Sequence, residues 1–272
     1  MKKIVALICM AVWLLGLTSC QENLMDGDAL DVVGKEELKV QRLFQQIREG
    51  DMEAYKELAI CYRDGIGVEK SDVNMLASYL MYSKRTQQDV LAVLMLIEEN
   101  HPIRIIAEAL NSSMVDGGES VLKRVEEVSP ADAKTLRMMF YMVSEGMDDS
   151  VLTELKEAES EGSELAVLAQ LMYYEEVKDE VTYEQCLHQW VERFPFLNVK
   201  IGKLYVSKYE EDGDIAHIQK AVDCYCRAEA YGMLSSWHAS QLLDMYQYLD
   251  EKGIMECSAQ EMDRLNKIAN IK

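Results

Sequence analysis

The sequence predicts an all-α protein, an α-solenoid built of stacked antiparallel helix pairs. The chain has 272 residues and only three prolines, and it lacks the alternation of β-branched and polar residues that indicates strands. Apolar residues recur instead at helical spacing, as in Leu58, Cys61 and Tyr62. One helix pair cannot bury its apolar face alone, so several pairs must stack against each other.

Turn and capping residues interrupt this pattern roughly every 12–18 residues, which predicts about 12 to 14 short helices. Tight turns make consecutive helices antiparallel. In chain order the predicted breaks lie at Gly50-Asp51, Gly65/Gly67, Asn100 to Pro102, Asp116 to Gly118, Ser129-Pro130, Gly146, Gly162, Pro195, Gly213, Gly232 and Gly253. Residues suited to N-caps stand at Asp51, Ser71 or Asp72, Ser129 and Asp214.

The stretch YKELAICYRDGIGVEKSD, residues 55–72, predicts a helix–turn–helix corner. A helix that ends at Arg63-Asp64 needs a left-handed residue at its C-terminal cap, and Gly65 adopts that conformation without a side-chain clash. Gly67 lets the chain reverse closely, and Val68 can fold back between the two helices. A phosphate-binding loop would instead follow a strand and open a helix with Lys or Ser/Thr at a fixed offset, so phosphate binding is not expected.

The same stretch resembles the first half of Sel-one-like repeats, which are relatives of tetratricopeptide repeats. The matching residues are Ala54, Leu58, Tyr62, Gly65, Gly67 and Val68. This resemblance implies short helix pairs that stack into a right-handed superhelix and bind other proteins. Two positions depart from the family pattern: Ser71 stands where Asp is frequent, and Asn74-Met75 replaces Lys-Ala.

Partial matches to the same repeat return further along the chain. The segment KAVDCYCRAEAYGM, residues 220–233, resembles the second helix of a repeat through Lys220, Ala221, Tyr225, Ala228 and Gly232. Residues 158–176 resemble a repeat boundary followed by a first helix. Residues 86–150 carry no repeat signature, so another kind of helical repeat could fill that gap. We therefore treat residues 36–272 as one helical-repeat domain.

Residues 1–19 read as the signal peptide of a bacterial lipoprotein. Two lysines precede an apolar run, residues 4–17, that is too short to cross a bilayer comfortably. Leu17-Thr18-Ser19-Cys20 then resembles a lipobox. The resemblance implies cleavage between Ser19 and Cys20 and acylation of the Cys20 thiol and of the new amine. Several acyl chains give durable anchoring; an ordinary secretory signal that contains a cysteine is the alternative.

Residues 20–35 then form a lipidated tether. Four acids, no base and two glycines in residues 21–34 predict a flexible linker. Acids just after an acylated cysteine also resemble a surface-export signal of some bacterial lipoproteins, although Gln21 departs from its strongest form. Because position 21 is not the Asp that resembles an inner-membrane retention signal, we expect the outer membrane. Whether the protein faces the periplasm or the cell surface stays open.

The charge of the chain limits which classes of molecule it is expected to bind. The formal net charge is −20, and it becomes −22 when the signal is removed with Lys2 and Lys3. Nucleic acid and anionic lipid both require clustered Lys and Arg, so neither is expected, and the only membrane contact expected is the lipid. A protein or peptide with basic or apolar surface is the expected ligand.

No motif in the sequence predicts catalysis, a cofactor or a metal. The signatures HExxH and GxSxG are absent. Cys224 and Cys226 are two apart on a predicted helix and should project to different sides, which disfavours zinc. The acidic run EEDGD, residues 210–214, lacks the alternating ligands of a calcium loop and reads as a turn with an N-cap. The scattered cysteines suggest buried thiols in place of a disulfide framework.

The sequence therefore predicts a non-enzymatic, lipid-anchored scaffold of the cell envelope that binds a protein through stacked helical repeats. Some of its tyrosines should face outward and contribute to a concave binding surface, because at least one ring of each pair Tyr173-Tyr174, Tyr205/Tyr209 and Tyr246/Tyr248 is expected to be exposed. One alternative is an envelope enzyme or glycan-binding lipoprotein with an unrecognised site in residues 86–150. Another is an assembly factor for outer-membrane machinery.

Overall fold

The computed structural model describes residues 34–111, 118–256 and 258–270 and, within these ranges, contains helices and no strand. The all-α prediction is confirmed. The signal peptide, Ser19, Cys20, Cys257 and nearly all of the tether lie outside the described residues. The helices are α1 (Lys35–Glu49), α2 (Ala54–Asp64), α3 (Asp72–Thr86), α4 (Val90–Leu94), α5 (Pro102–Asn111), α6 (Glu119–Val128), α7 (Pro130–Ser144), α8 (Asp149–Ser160), α9 (Glu164–Glu176), α10 (Glu180–Trp190), α11 (Leu197–Asp212), α12 (Ile215–Ala230), α13 (Ser236–Glu251) and α14 (Ala259–Ala269).

Short polar residues cap the starts of several helices, as predicted. The hydroxyl of Ser71 accepts the Asn74 N–H at 3.0 Å, and the carboxylate of Asp214 accepts the Ala216 N–H at 3.0 Å. Ser129 caps α7 in the same way. Each contact satisfies a backbone donor that the helix itself cannot pair. Asp51 instead accepts the Glu53 N–H at 3.0 Å, within the turn before α2.

Two further breaks have no glycine and were not predicted. Gln87 after α3 and Lys178 after α9 both have positive φ, 57° and 59°. Non-glycine residues seldom adopt this conformation, so a search for Gly and Pro passes over them. In both cases an aspartate after the break indicates the start of the next helix: Asp89 caps the short α4, and Asp179 accepts the Thr182 N–H.

The described chain divides into two compact units, and the division falls within α2 and α10. The first unit comprises residues 58–65 and 69–186. In it, each helix from α3 to α9 packs against the next one in the chain, and α9 also packs on α7 and α3. Fully buried leucines fill its interior: Leu80, Leu136, Leu155, Leu168 and Leu171.

The second unit comprises residues 34–57, 66–68 and 187–270 of the described chain. Here α11 packs on α12, α12 on α13 and α13 on α14, while α1 packs on α12. A helical glycine, Gly202, lets α11 approach α12, because a Cβ there would lie 2.7 Å from the ring of Tyr225. In both units sequential helices pack in neighbouring pairs, so the packing predicted for a solenoid-like fold is confirmed.

Candidate functional site

An open groove of about 750 Å³ runs between α6 and α7 in the first unit. From α6 it is lined by Glu119, Leu122, Lys123 and Glu126, and from α7 by Arg137, Met138, Phe140, Tyr141, Ser144 and Glu145. The α6 residues stand at positions i, i+3, i+4 and i+7, so they form one stripe along the helix. The groove is therefore bounded by facing stripes of two helices.

The local sequence sets the geometry of these two helices. Gly118, with φ of 93°, precedes α6, and Ser129 joins α6 to α7 as a single residue. The Ser129 N–H donates to the Val125 carbonyl at 2.7 Å, and Pro130 occupies the first turn of α7, where its missing N–H costs nothing. So short a connection forces α6 and α7 to run antiparallel.

Apolar side chains form the inner part of the groove. Phe140 is buried, Leu122 and Met138 are half-buried, and Tyr141 is 37% exposed. The Tyr141 hydroxyl donates to the Asp148 carboxylate at 3.1 Å. This hydrogen bond raises the pKa of Tyr141, while hydrogen bonds from Ser150 and Tyr141 lower the pKa of Asp148. The ring is thus held at the edge of the groove, where it can contact a ligand.

The charges along the groove differ from one end to the other. Glu126 lies 3.6 Å from the Arg137 guanidinium, so these two charges offset each other at one end. Glu119 and Glu145 lie at the opposite end, where α6 begins and α7 ends. Lys123 stands between the two ends on α6. The groove combines an apolar floor with a rim that is acidic at one end.

Sequence reasoning missed this groove. It lies in residues 86–150, where we found no repeat signature. The available signal was the pattern on α7, in which Arg137, Tyr141 and Ser144 share one helical face. An aromatic residue among polar residues on such a face is a candidate for an exposed anchor.

The first set of predicted repeat residues forms the expected corner. Leu58 and Tyr62 are buried on α2, as is Ala54. The Ser71 N–H donates to the Tyr62 carbonyl at 2.9 Å and closes the turn that leads to α3. Gly65 has φ of 70°, the left-handed conformation that was predicted for this position.

Gly67 and Val68 occupy the tip of this corner, which belongs to the second unit. Gly67 has φ of 67°, and a Cβ at this position would overlap the Glu36 carbonyl at the start of α1. Val68 is half-buried. Gly67 is required here both by its backbone conformation and by close contact with another backbone.

The second set of predicted repeat residues is packed inside the second unit. Ala221, Tyr225 and Ala228 are fully buried in one core cluster on α12. Gly232 follows α12 with φ of 71°, its carbonyl accepts the Tyr55 hydroxyl, and a Cβ there would overlap Ile47. The predicted repeat residues therefore pack the helices, and they do not line the groove.

The tyrosine pairs do not form an outward-facing surface. Tyr173 and Tyr174 are both buried, with their rings edge to face at 5.8 Å. The prediction that one of these two rings faces outward is wrong, because α9 packs against α8, α7 and α3 and is covered on most sides. Tyr209 and Tyr248 are half-buried, and their hydroxyls are 2.9 Å apart.

The titratable side chains that could support other chemistry are mostly held in structural contacts. The four described cysteines are thiols, and burial raises the pKa of Cys186 to about 11 and of Cys224 and Cys226 to about 12. Such thiols are poor nucleophiles and poor metal ligands. His217 contacts Asp212 at 3.2 Å within the predicted EEDGD turn. Among the described residues no group of three or more His, Cys, Asp or Glu side chains could hold a metal ion.

A buried carboxylate joins three helices of the second unit. Glu229 on α12 is 2% exposed, and one of its oxygens lies 3.6 Å from the Arg48 Nε on α1 and 2.7 Å from the Arg264 Nε on α14. A buried charge is tolerated only when it is compensated, so the two guanidiniums are what keep Glu229 stable inside the protein.

A polar network joins three helix N-termini in the first unit. Ser163, which precedes α9, donates to the Asp132 carboxylate on α7 at 2.6 Å. The neighbouring Glu164 carboxylate accepts the Ser71 hydroxyl at 2.8 Å and the Val73 N–H at 3.0 Å. All of these groups serve helix ends, so they stabilise the packing of α3, α7 and α9.

Comparison with known proteins adds no relative: no family model, curated protein or solved structure matches the chain. In the part of the chain that the structure describes, the helices lack the combination of length and hydrophobicity needed to cross a bilayer.

Proposed function

We propose that this chain is a lipid-anchored scaffold of the bacterial cell envelope that binds a protein partner in the groove between α6 and α7. The groove is the observation that carries the proposal. It leaves the side chains of Leu122, Met138 and Tyr141 partly accessible between two helices. Partly exposed aromatic and Met side chains surrounded by polar residues are typical of protein-binding surfaces.

Several features of the chain support a binding role over catalysis. The described cysteines have raised pKa values or lie buried, and the predicted repeat residues serve packing. The groove itself combines apolar residues with five charged ones and has no convergent set of His, Ser or Cys nucleophiles among its lining residues. Its composition suits an extended contact with a polypeptide.

The anchor completes the proposal. The lipobox-like sequence around Cys20 would attach the protein to a membrane through acyl chains, and the acidic tether would hold the helical units away from the surface. The resemblance to Sel-one-like repeats, which bind other proteins, agrees with this role. The outer membrane is the proposed location.

Site-specific photo-crosslinking in the native cell tests the binding role directly. We would place benzoylphenylalanine at position 141, where one aromatic ring replaces another at a partly exposed site, and separately at position 122. Irradiation should yield one or a few discrete protein adducts from these positions, because a partner in the groove lies within reach of both.

Val181 on α10 provides the control position, since it is 68% exposed and does not line the groove. A probe there should give no corresponding adduct. Equal adduct patterns at positions 122, 141 and 181, or no adduct at either groove position, would contradict the proposal. A single adduct would indicate one dedicated client, and several would indicate a general scaffold.

A further inference from the structure

The helical walls and the length of the groove suit an α-helix as its ligand. The α6 stripe from Glu119 to Glu126 covers seven intervals, or about 10 Å along the helix axis. The antiparallel helices α6 and α7 flank the groove. A third helix can pack onto such a pair by fitting its ridges of side chains into the grooves between theirs. A ligand helix of about two turns would fill that length.

The apolar floor of the groove requires an apolar face on the ligand helix. Leu122, Met138 and Tyr141 are the partly accessible apolar side chains, and Phe140 closes the floor beneath them. Met adapts its shape to different partners. Apolar ligand residues at i, i+3 or i+4, and i+7 would therefore enter the groove together, as in other helix-in-groove complexes.

The charges determine what flanks the apolar face. Because α6 and α7 are antiparallel, α6 begins near the C-terminal part of α7: a Cβ on Gly118, just before α6, would lie 3.3 Å from the ring of Phe140. Glu119 therefore lies toward the end of the groove where Glu145 follows α7. Asp148, which accepts the Tyr141 hydroxyl, adds a third acid near this end.

The opposite end of the groove has no comparable excess of acid. There the Arg137 guanidinium lies 3.6 Å from the Glu126 carboxylate, and Lys123 lies about one turn from both Glu126 and Glu119. A cationic ligand residue is therefore favoured at the end with Glu119 and Glu145, because the two glutamates there outnumber the one nearby cation of the lining, Lys123.

From this geometry we infer that the groove binds an amphipathic helix of a partner protein, with an apolar stripe on the floor and a Lys or Arg at the end formed by Glu119 and Glu145. This inference rests on the proposed binding function and specifies its ligand. The net charge of −20 steers basic partners to the protein as a whole, but the two glutamates fix where the basic residue binds.

Two designed helical peptides with the same Leu stripe test the inference. One carries two Lys residues beyond one end of the stripe, and the other carries two Glu residues there. Binding is measured by fluorescence anisotropy to the full chain with Cys20→Ser, which removes the lipid. The Lys peptide should bind at least about fivefold more tightly, since rim charges contribute modestly to affinity.

A matched pair of variants separates local charge from overall charge. Glu119→Gln with Glu145→Gln should weaken the Lys peptide about fivefold. Glu210→Gln with Glu211→Gln changes the net charge equally at exposed positions outside the groove, and should change the affinity by less than about twofold. Equal losses in both double variants would overturn the inference, because general attraction would then explain the binding.

A separate variant tests the apolar contact between Tyr141 and the ligand. Tyr141→Ala should weaken both peptides, while circular dichroism should show the helix content of the wild type, because the ring is 37% exposed and lies at the edge of the groove. Tighter binding of the Glu peptide, or concentration-dependent self-association that blocks position 141, would overturn the inference. If crosslinked adducts form but the Lys and Glu peptides bind alike, the proposed function stands and only the ligand assignment fails.

Discussion

At the scale of single residues, Gly67 and Gly213 separate two reasons for a glycine. Both have positive φ, 67° and 70°. A Cβ on Gly67 would overlap the Glu36 backbone, whereas nothing lies within 4 Å of a Cβ on Gly213. The first position therefore requires glycine for both conformation and space, and the second requires it for conformation alone.

Alanine substitutions should expose this difference. Gly213→Ala should lower the free energy of unfolding by about 1 kcal/mol, the cost of a left-handed alanine. Gly67→Ala should lower it by about 3 kcal/mol or more, because α1 must also move. Urea denaturation followed by Trp fluorescence measures both, since Trp190 and Trp237 lie in the same unit. Equal losses of unfolding free energy in the two variants would show that the loop around residue 67 changes conformation without moving α1.

The glycines also show how far single residues could be predicted. Gly65, Gly67 and Gly232 were placed correctly at turns because the left-handed conformation is a local property of the chain. The contact of Gly67 with Glu36 was not predictable, since it depends on how distant segments pack. The exposure of the pair Tyr173-Tyr174 was mispredicted for the same reason, because helical spacing does not show how many neighbours surround a helix.

At the scale of elements, helix ends and buried charges hold neighbouring helices in register. Ser163 and Asp132 link α9 to α7, and Glu229 links α12 to α1 and α14. Both arrangements place a carboxylate where water is largely excluded. Removing its hydrogen-bond or ion-pair partner therefore destabilises the protein, because nothing then compensates the carboxylate for its lost hydration.

Ser163→Ala should destabilise α7 and α9 together. It leaves the buried Asp132 carboxylate without the Ser163 hydroxyl, which should cost about 1 to 3 kcal/mol. Ser160→Ala, at the exposed end of α8, should cost less than about 0.5 kcal/mol. Hydrogen exchange of the α7 and α9 amides is the measurement. Unchanged protection in Ser163→Ala would mean that the network contributes little to packing.

The ion pairs around Glu229 allow a second comparison. Glu229→Gln leaves the Arg48 and Arg264 guanidiniums without their shared anion, and should lower the free energy of unfolding by about 3 kcal/mol. Asp263→Asn removes the partner of Lys267 in a pair whose side chains are 66% and 76% exposed, and should change it by about 0.5 kcal/mol or less. Urea midpoints measure both, and similar small shifts would show that Glu229 is readily accommodated as a neutral amide.

At the scale of the whole molecule, the fold class could be predicted and the groove could not. Helical periodicity, caps and turn glycines are local, and they led to the all-α class and to most helix boundaries. The groove exists because α6 and α7 leave Leu122, Met138 and Tyr141 partly uncovered, and apolar residues at helical spacing look the same in sequence whether they are covered or open. Its position in residues 86–150 matches the stretch that lacked a repeat signature.

Membrane attachment is a prediction about the whole chain. Wild-type protein should remain in the membrane fraction through high-salt and alkaline washes and be released by detergent, because several acyl chains give durable anchoring. Cys20→Ser should be released without detergent. Cys226→Ser, which alters a half-buried thiol elsewhere, should stay with the membrane. A soluble wild-type protein, or intact mass without added acyl groups, would contradict the lipoprotein assignment.

The hydrogen bond between Ser71 and Glu164 has a consequence for related sequences. The Sel-one-like repeats that this stretch resembles often carry Asp where this chain has Ser71, yet an Asp here would bring a second carboxylate close to that of Glu164, which now accepts the Ser71 hydroxyl at 2.8 Å. The two positions should therefore covary through evolution. Homologues with Asp at the first should carry a neutral or basic residue at the second, and frequent acidic pairs in an alignment would show that the two sites vary independently.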